Sequence, residues 1–197
     1  MRATWMPLLY FALFMSVAVG WRVYRVWRLS GVNALTTYRA DGVYGLVSTL
    51  FRLVFAGIGA VTFVNLLPGL AAYLTPIPWL DLPVLQLIGW LILTVSFFIV
   101  VVAQMQMGGA WRIGVDSNQR QQLITHGIFR YSRNPIFLCM RLCFFGLLLV
   151  LPNAFTLMLW ALGDAMTQIQ VRLEETHLNE AFGEAYRVYA QSVRRWI

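Results

Sequence analysis

Two short stretches of the sequence hold residue types that can do chemistry. The first, Leu123–Cys139 (LITHGIFRYSRNPIFLC), sets a histidine, an asparagine and aromatic rings around Gly127 and Pro135; the second, Glu174–Leu178 (EETHL), offers adjacent carboxylates. Neighbouring residues on a helix point about 100° apart, so Glu174 and Glu175 are not expected to share a proton. Glu175 follows Arg172 by three residues and is read as its ion-pair partner, which leaves Glu174 as the functional acid. Asn134 has a donor and an acceptor but does not titrate near neutrality. His126 is the nearest candidate base, although a lone histidine in a polar loop is more often structural.

These stretches come together only if the chain between them folds back. The apolar run Ile136–Leu162 is broken once, at Pro152 and Asn153, a pair suited to a turn between two helices. An antiparallel hairpin about that turn puts Asn134 and Glu174 at the same depth, at its two feet. Arg141 and Asp164, the ionisable residues inside its arms, lie about eleven residues to either side of the turn. At ~1.5 Å rise per residue both are roughly 17 Å from it, so they are expected to pair, with Arg52 as the competing partner.

Composition fixes the solvent. With 59% hydrophobic and 12% charged residues and a mean hydropathy of +0.67, the chain is far from the roughly 25% charged of a soluble domain. It reads as a single all-α polytopic membrane domain over residues 1–197, with membrane helices in 1–106 and a loop, the hairpin and a C-terminal helix in 107–197. The apolar runs are Met6–Trp21, Val43–Val64 and Leu82–Met105, followed by the hairpin arms, which makes about five spans. Trp21–Arg28 interleaves arginines with aromatics and reads as a headgroup-level anchor. Leu66–Asp81, rich in proline, is a link on the other side.

All fifteen cations are arginines, with eight acids against them. The arginines cluster beside the apolar runs, so the positive-inside rule is a better explanation than nucleic acid. It puts the N-terminus outside and the C-terminus in the cytoplasm of an inner or plasma membrane. The absence of lysine excludes Schiff-base chemistry. Cys139 and Cys143, four apart on one helix, read as small apolar fillers, and no metal-ligand set is expected. Tyr186, Tyr189, Val193 and Trp196 recur at helical spacing, which predicts an amphipathic helix on the cytoplasmic surface.

Gly127 with an aromatic two residues on, Arg133-Asn134-Pro135-x-Phe137, Glu174-Glu175-x-x-Leu178 and Phe182-Gly183-x-x-Tyr186-x-x-Tyr189 form an ordered set. The set resembles the isoprenylcysteine carboxyl methyltransferase and phospholipid methyltransferase superfamily of membrane enzymes. It covers roughly the last ninety residues. Asn134 and Phe137 stand where that superfamily usually has His and Tyr, and Cys139 replaces a common Gly.

The resemblance implies S-adenosylmethionine as cofactor, held at the cytoplasmic face by Gln121, Gln122, Leu123, Ile124, Gly127, Phe129, Asn134, Pro135, Ile136, Phe137 and Glu174. Glu174 would face the cationic groups and the aromatics the sulfonium or adenine. Gln170 occupies a position where relatives use a substrate-contacting Arg, and Arg172 is the candidate to replace it. The implied partner is a lipophilic acceptor reaching the site through membrane lipid: an isoprenylcysteine carboxylate or similar amphiphile, or a phospholipid amine. Membrane steroid reductases, which use NADPH, share part of the pattern and are the rival reading. A non-catalytic membrane subunit is the third.

Overall fold

The computed structural model describes residues 3–30, 42–108 and 123–197. Their regular structure is all helical, with no strand among them. Helix α1 (Met6–Phe14) passes through a π-helical stretch, Met15–Trp21, into α2 (Arg22–Ser30) without a break. Helices α3 (Val43–Val64), α4 (Pro68–Ala71) and α5 (Pro83–Met107) follow. A 3-10 turn, Gly127–Arg130, leads to α6 (Pro135–Val150), α7 (Ala154–Phe182) and α8 (Glu184–Ser192).

Among the described residues three helices are long and apolar enough to cross a bilayer: Met6–Arg28, Val43–Val64 and Pro83–Met107. The 16 residues of α6 rise only about 24 Å, short of a ~30 Å hydrocarbon core. The 29-residue α7 is long enough, but its C-terminal half is polar. The first span is longer than the sequence suggested, because Trp21–Arg28 continues the helix. Val26 is buried against Met107 and Ile136, while Trp21, Tyr24 and Trp27 face outward. A π turn leaves its carbonyls poorly served by the helix; the Ala18 carbonyl accepts from Gln104 Nε2 at 2.8 Å.

Hydrogen bonds fix which ends meet. Ile77 N donates to Pro152 O at 2.8 Å and Ala154 N to Thr75 O at 3.0 Å, tying the proline-rich link to the hairpin turn. Asn65 Nδ2 donates to Thr4 O at 3.1 Å, so α1 begins at the same end. At the opposite end Arg22 donates to Gly108 O, and α6, α8 and the C-terminal tail gather there. The N- and C-termini therefore lie at opposite ends of the bundle.

The turn forms as its residues predict. Asn153 caps α7, with Thr156 N donating to Asn153 Oδ1 at 3.0 Å and Asn153 N to Thr156 Oγ1 at 3.2 Å, a reciprocal capping box. Helices α5 and α6 approach closely at Gly89 and Gly146, where a Cβ on Gly89 would lie 2.8 Å from the Gly146 carbonyl oxygen. Small residues let membrane helices pack backbone to backbone. Between α3, α6 and α7, Val54, Ile58, Phe144, Leu147 and Leu159 form the main apolar core.

Arg141 and Asp164 are paired, Nε to Oδ1 at 2.5 Å, at the register the hairpin predicts. Arg52 does not compete; its guanidinium turns to Ser48 O and Thr49 Oγ1 on its own helix. The C-terminus departs from expectation. Helix α8 ends at Ser192 and Val193 is extended, so Trp196 belongs to a tail and not to an amphipathic helix. The Trp196 ring sits 4.7 Å from the Arg141 guanidinium, a cation–π contact between the tail and α6.

Candidate functional site

The site lies at the foot of the hairpin, where four segments converge. Gly127 starts the 3-10 turn with φ +62°, a conformation that favours glycine. A Cβ there would run into the Gln106 side chain, whose Oε1 accepts from Ile128 N at 2.9 Å. Phe129 is buried, and its carbonyl accepts from Tyr189 Oη at 2.6 Å, fastening α8 over the turn.

Pro135 opens α6 at the first helical position, where its missing N–H costs nothing. Asn134, at the capping position, makes no cap with its side chain. Its Nδ2 instead reaches Glu175 Oε1 at 3.1 Å and Arg195 O at 3.4 Å. Arg133 donates to the same Oε1 at 3.1 Å and to Ala190 O at 2.7 Å. Arg195 donates to Glu175 Oε2 from Nε at 3.0 Å and from its terminal nitrogen at 2.7 Å. Backbone bonding from Arg133 N to Arg194 O at 3.0 Å completes the dock.

Glu175 is therefore saturated. Burial alone would push its carboxyl up, but the hydrogen bond from Arg195, the charges of Arg133 and Arg195 and the Asn134 donor outweigh that and hold it below the usual range. This corrects one expectation: Glu175 pairs with Arg133 and Arg195, and accepts from Asn134, and does not pair with Arg172. Arg172 is exposed, about 200° around α7 from Glu174, so it lies off the site.

Glu174 is the reverse case. No hydrogen bond or ion pair engages its carboxylate among the described residues. It keeps some exposed surface, yet the surrounding protein pushes its carboxyl upward by burial. Its charge reaches Tyr44, which opens α3 and donates to Leu173 O at 3.4 Å, and Tyr186 on α8. The Tyr186 hydroxyl is buried without a hydrogen-bond partner among the described residues. Burial pushes it up to about 12, so it remains a donor at neutral pH.

Of the expected cofactor contacts, Gly127, Phe129, Asn134 and Pro135 belong to this foot. Leu123, Ile124 and Phe137 are half-buried beside it in the chain, whereas Ile136 packs on Val26 and Met107 toward α2. Gln121 and Gln122 lie outside the described residues. His126 is exposed in the loop. Sequence reasoning missed the parts played by Arg133, Arg195, Tyr189 and Gln106. Arg133 and Tyr189 stand in the ordered motif set and Arg195 in the arginine pair before Trp196, but nothing in the sequence said what they would bond.

A family model described as phospholipid methyltransferase matches residues 84–185, just over half of the chain. A protein of Haemophilus influenzae described as an uncharacterized protein is 50% identical over 32 residues, covering 16% of this chain and 51% of its own length. The chain thus spans about half the length of that curated relative. The matched residues include α5, the loop, α6 and α7, the elements that build the hairpin foot. On the strength of that match, the chain is an integral membrane protein that belongs to the phospholipid methyltransferase family.

Proposed function

We infer that the protein transfers a methyl group from S-adenosylmethionine to a lipophilic acceptor at the cytoplasmic end of the bundle. The observation that carries this reading is the contrast between the two carboxylates. Glu175 is fully engaged by the protein, whereas Glu174, one residue earlier, is held among protein groups with no counter-charge among the described residues. A carboxylate in that state calls for a cation, and the cofactor's amino and sulfonium groups are cationic. The orphaned Tyr186 hydroxyl supplies a donor nearby.

These residues fit the cofactor. Glu174 would face its positive groups, Tyr186 would donate to it, and the turn at Gly127 with Phe129 and Phe137 would wall it, beside Leu123, Ile124, Asn134 and Pro135. When bound, S-adenosylmethionine supplies an activated methyl group at its sulfonium. The chain's own part is to bind and orient, and alignment of nucleophile and methyl carbon can account for much of the acceleration in an in-line displacement. Arg133, Asn134 and Arg195 hold the foot in place through Glu175.

The arginine-rich end of the bundle carries the site, which supports a cytoplasmic location, five crossings and an external N-terminus. In this reading the chain works as one unit, with 1–106 as membrane scaffold and 107–197 as the working half. The acceptor is an amphiphile drawn from lipid, of the isoprenylcysteine carboxylate or phospholipid amine kind; the family match favours the latter class. Equilibrium binding of labelled S-adenosylmethionine and of NADPH to the purified protein is the test. Saturable binding of the former alone is expected. Binding of NADPH alone would assign a reductase, and binding of neither would leave a non-catalytic subunit.

A further inference from the structure

The outward face of the α6–α7 hairpin carries polar groups at a depth where lipid has none to offer. Arg141 gives its Nε to Asp164 Oδ1, and Gln168 Nε2 donates to Asp164 Oδ2 at 2.6 Å, so one carboxylate gathers both arms. Arg141 and Asp164 keep 27% and 23% of their side-chain surface, and Gln168 is exposed. Among the described residues nothing accepts from the two terminal nitrogens of Arg141, whose guanidinium lies under the Trp196 ring, and nothing donates to Gln168 Oε1.

Depth decides what can answer these groups. Asp164 lies roughly 17 Å and Gln168 roughly 23 Å from the hairpin turn at ~1.5 Å per residue, inside a hydrocarbon core of ~30 Å. Lipid headgroups do not sit at that level. Glu174 is ten residues further along α7 than Asp164, ~15 Å along the axis, so an acceptor headgroup at the methyl-transfer site does not reach the pair. A polar N–H left in hydrocarbon is costly, and such groups on membrane helices turn to protein.

The face is complementary to itself. Copies inserted with one topology pair about a two-fold axis along the membrane normal, so each residue meets groups at its own depth. At the level of Arg141 and Asp164 the face holds both a cation and an acid, and at Gln168 an amide that donates and accepts. Ala161, Ala165 and Gln168 follow at four- and three-residue spacing, all exposed, and the two alanines leave room beside the polar groups for a second helix. A helix of another protein would have to supply a matched set of charges at the same depths; a second copy has it by symmetry.

We propose that this face joins two copies of the chain in the membrane, α7 against α7, with the terminal nitrogens of each Arg141 donating to the Asp164 and Gln168 oxygens of the other copy. Glu174 lies about 180° around α7 from Ala165, so the contact leaves the methyl-transfer site uncovered. The inference does not depend on the proposed reaction.

The test is energy transfer between donor- and acceptor-labelled full chains, tagged at the N-terminus and reconstituted in phosphatidylcholine vesicles over a range of protein-to-lipid ratios. Transfer above that of randomly placed chains is expected, declining on dilution with lipid as a monomer–dimer equilibrium. Gln168→Leu should weaken association about ten-fold. Ala165→Leu, which adds bulk to the same face, should weaken it at least as much, whereas Ala56→Leu, the same enlargement at an exposed position of α3, should leave it unchanged. Transfer in the wild type no greater than random proximity gives, or equal losses in Ala165→Leu and Ala56→Leu, would overturn the proposal.

Discussion

Asn134 Nδ2 donates to Glu175 Oε1 at 3.1 Å, closing 41 residues of sequence and joining the foot of α6 to that of α7. Arg133 and Arg195 share the same carboxylate, so loop, hairpin and C-terminal tail meet on one side chain. Glu174, about 100° around α7 from it, has no hydrogen bond or ion pair among the described residues. One acid holds the architecture and its neighbour is available to a ligand.

Glu175→Gln should destabilise the fold, because it leaves two guanidinium groups without their counter-ion. Breaking a buried pair costs ~3–5 kcal/mol, and the 40% exposure of Arg195 places this case at the low end. The pH dependence follows from a depressed carboxyl. Its contribution is complete above the unfolded value of about 4.3 and is lost as pH falls through the lower folded value. Thermal melts from neutral pH into that acid range should converge for wild type and variant; a constant gap would argue against the clamp.

Arg141 and Asp164 should be energetically coupled. Arg141→Met and Asp164→Leu each remove one partner of a pair only about a quarter exposed. The double variant should recover roughly 0.5–3 kcal/mol relative to the summed single losses. Strict additivity in detergent melts would mean that the pair does not set the hairpin register.

Gly127→Ala tests the turn. An alanine at φ +62° pays roughly 1–2 kcal/mol in backbone strain and also displaces the Gln106 amide from Ile128 N. Stability should fall by about that amount or more. A variant as stable as the wild type would show that the turn is not held as described.

Topology is open to labelling. Tags before Met6 and within residues 66–81 should react from outside intact cells, and tags after Ile197 only after permeabilisation. Accessibility of both termini from one side would rule out an odd number of crossings.

Much of this was legible because it is local. Val43–Val64 matched to the residue, and the Arg141–Asp164 register followed from helical rise about a capped turn. Rotation about the helix axis was not legible: Glu174 and Glu175 differ by about 100° of azimuth, which packing sets. The tail was misread for a similar reason. Val193 and Trp196 fit a helical period, but bonds from Arg133 N and Ser132 Oγ to the carbonyls of Arg194 and Arg195 draw the backbone out of it. Arginines at Trp21–Arg28 suggested a helix end, yet Arg22 is buried on the carbonyl of Gly108, the residue that caps the C-terminus of α5, where a cation is favoured.

The most direct measurement is the affinity of Glu174→Gln for S-adenosylmethionine, with its melting temperature taken alongside. A carboxyl pushed upward by burial disfavours the folded state as pH rises through the carboxylate range, so removing its charge should leave neutral-pH stability unchanged or higher. Loss of a charge-assisted contact of ~1.5–3 kcal/mol should weaken binding by roughly ten- to a hundred-fold. Unchanged affinity in a stable Glu174→Gln protein would contradict the account.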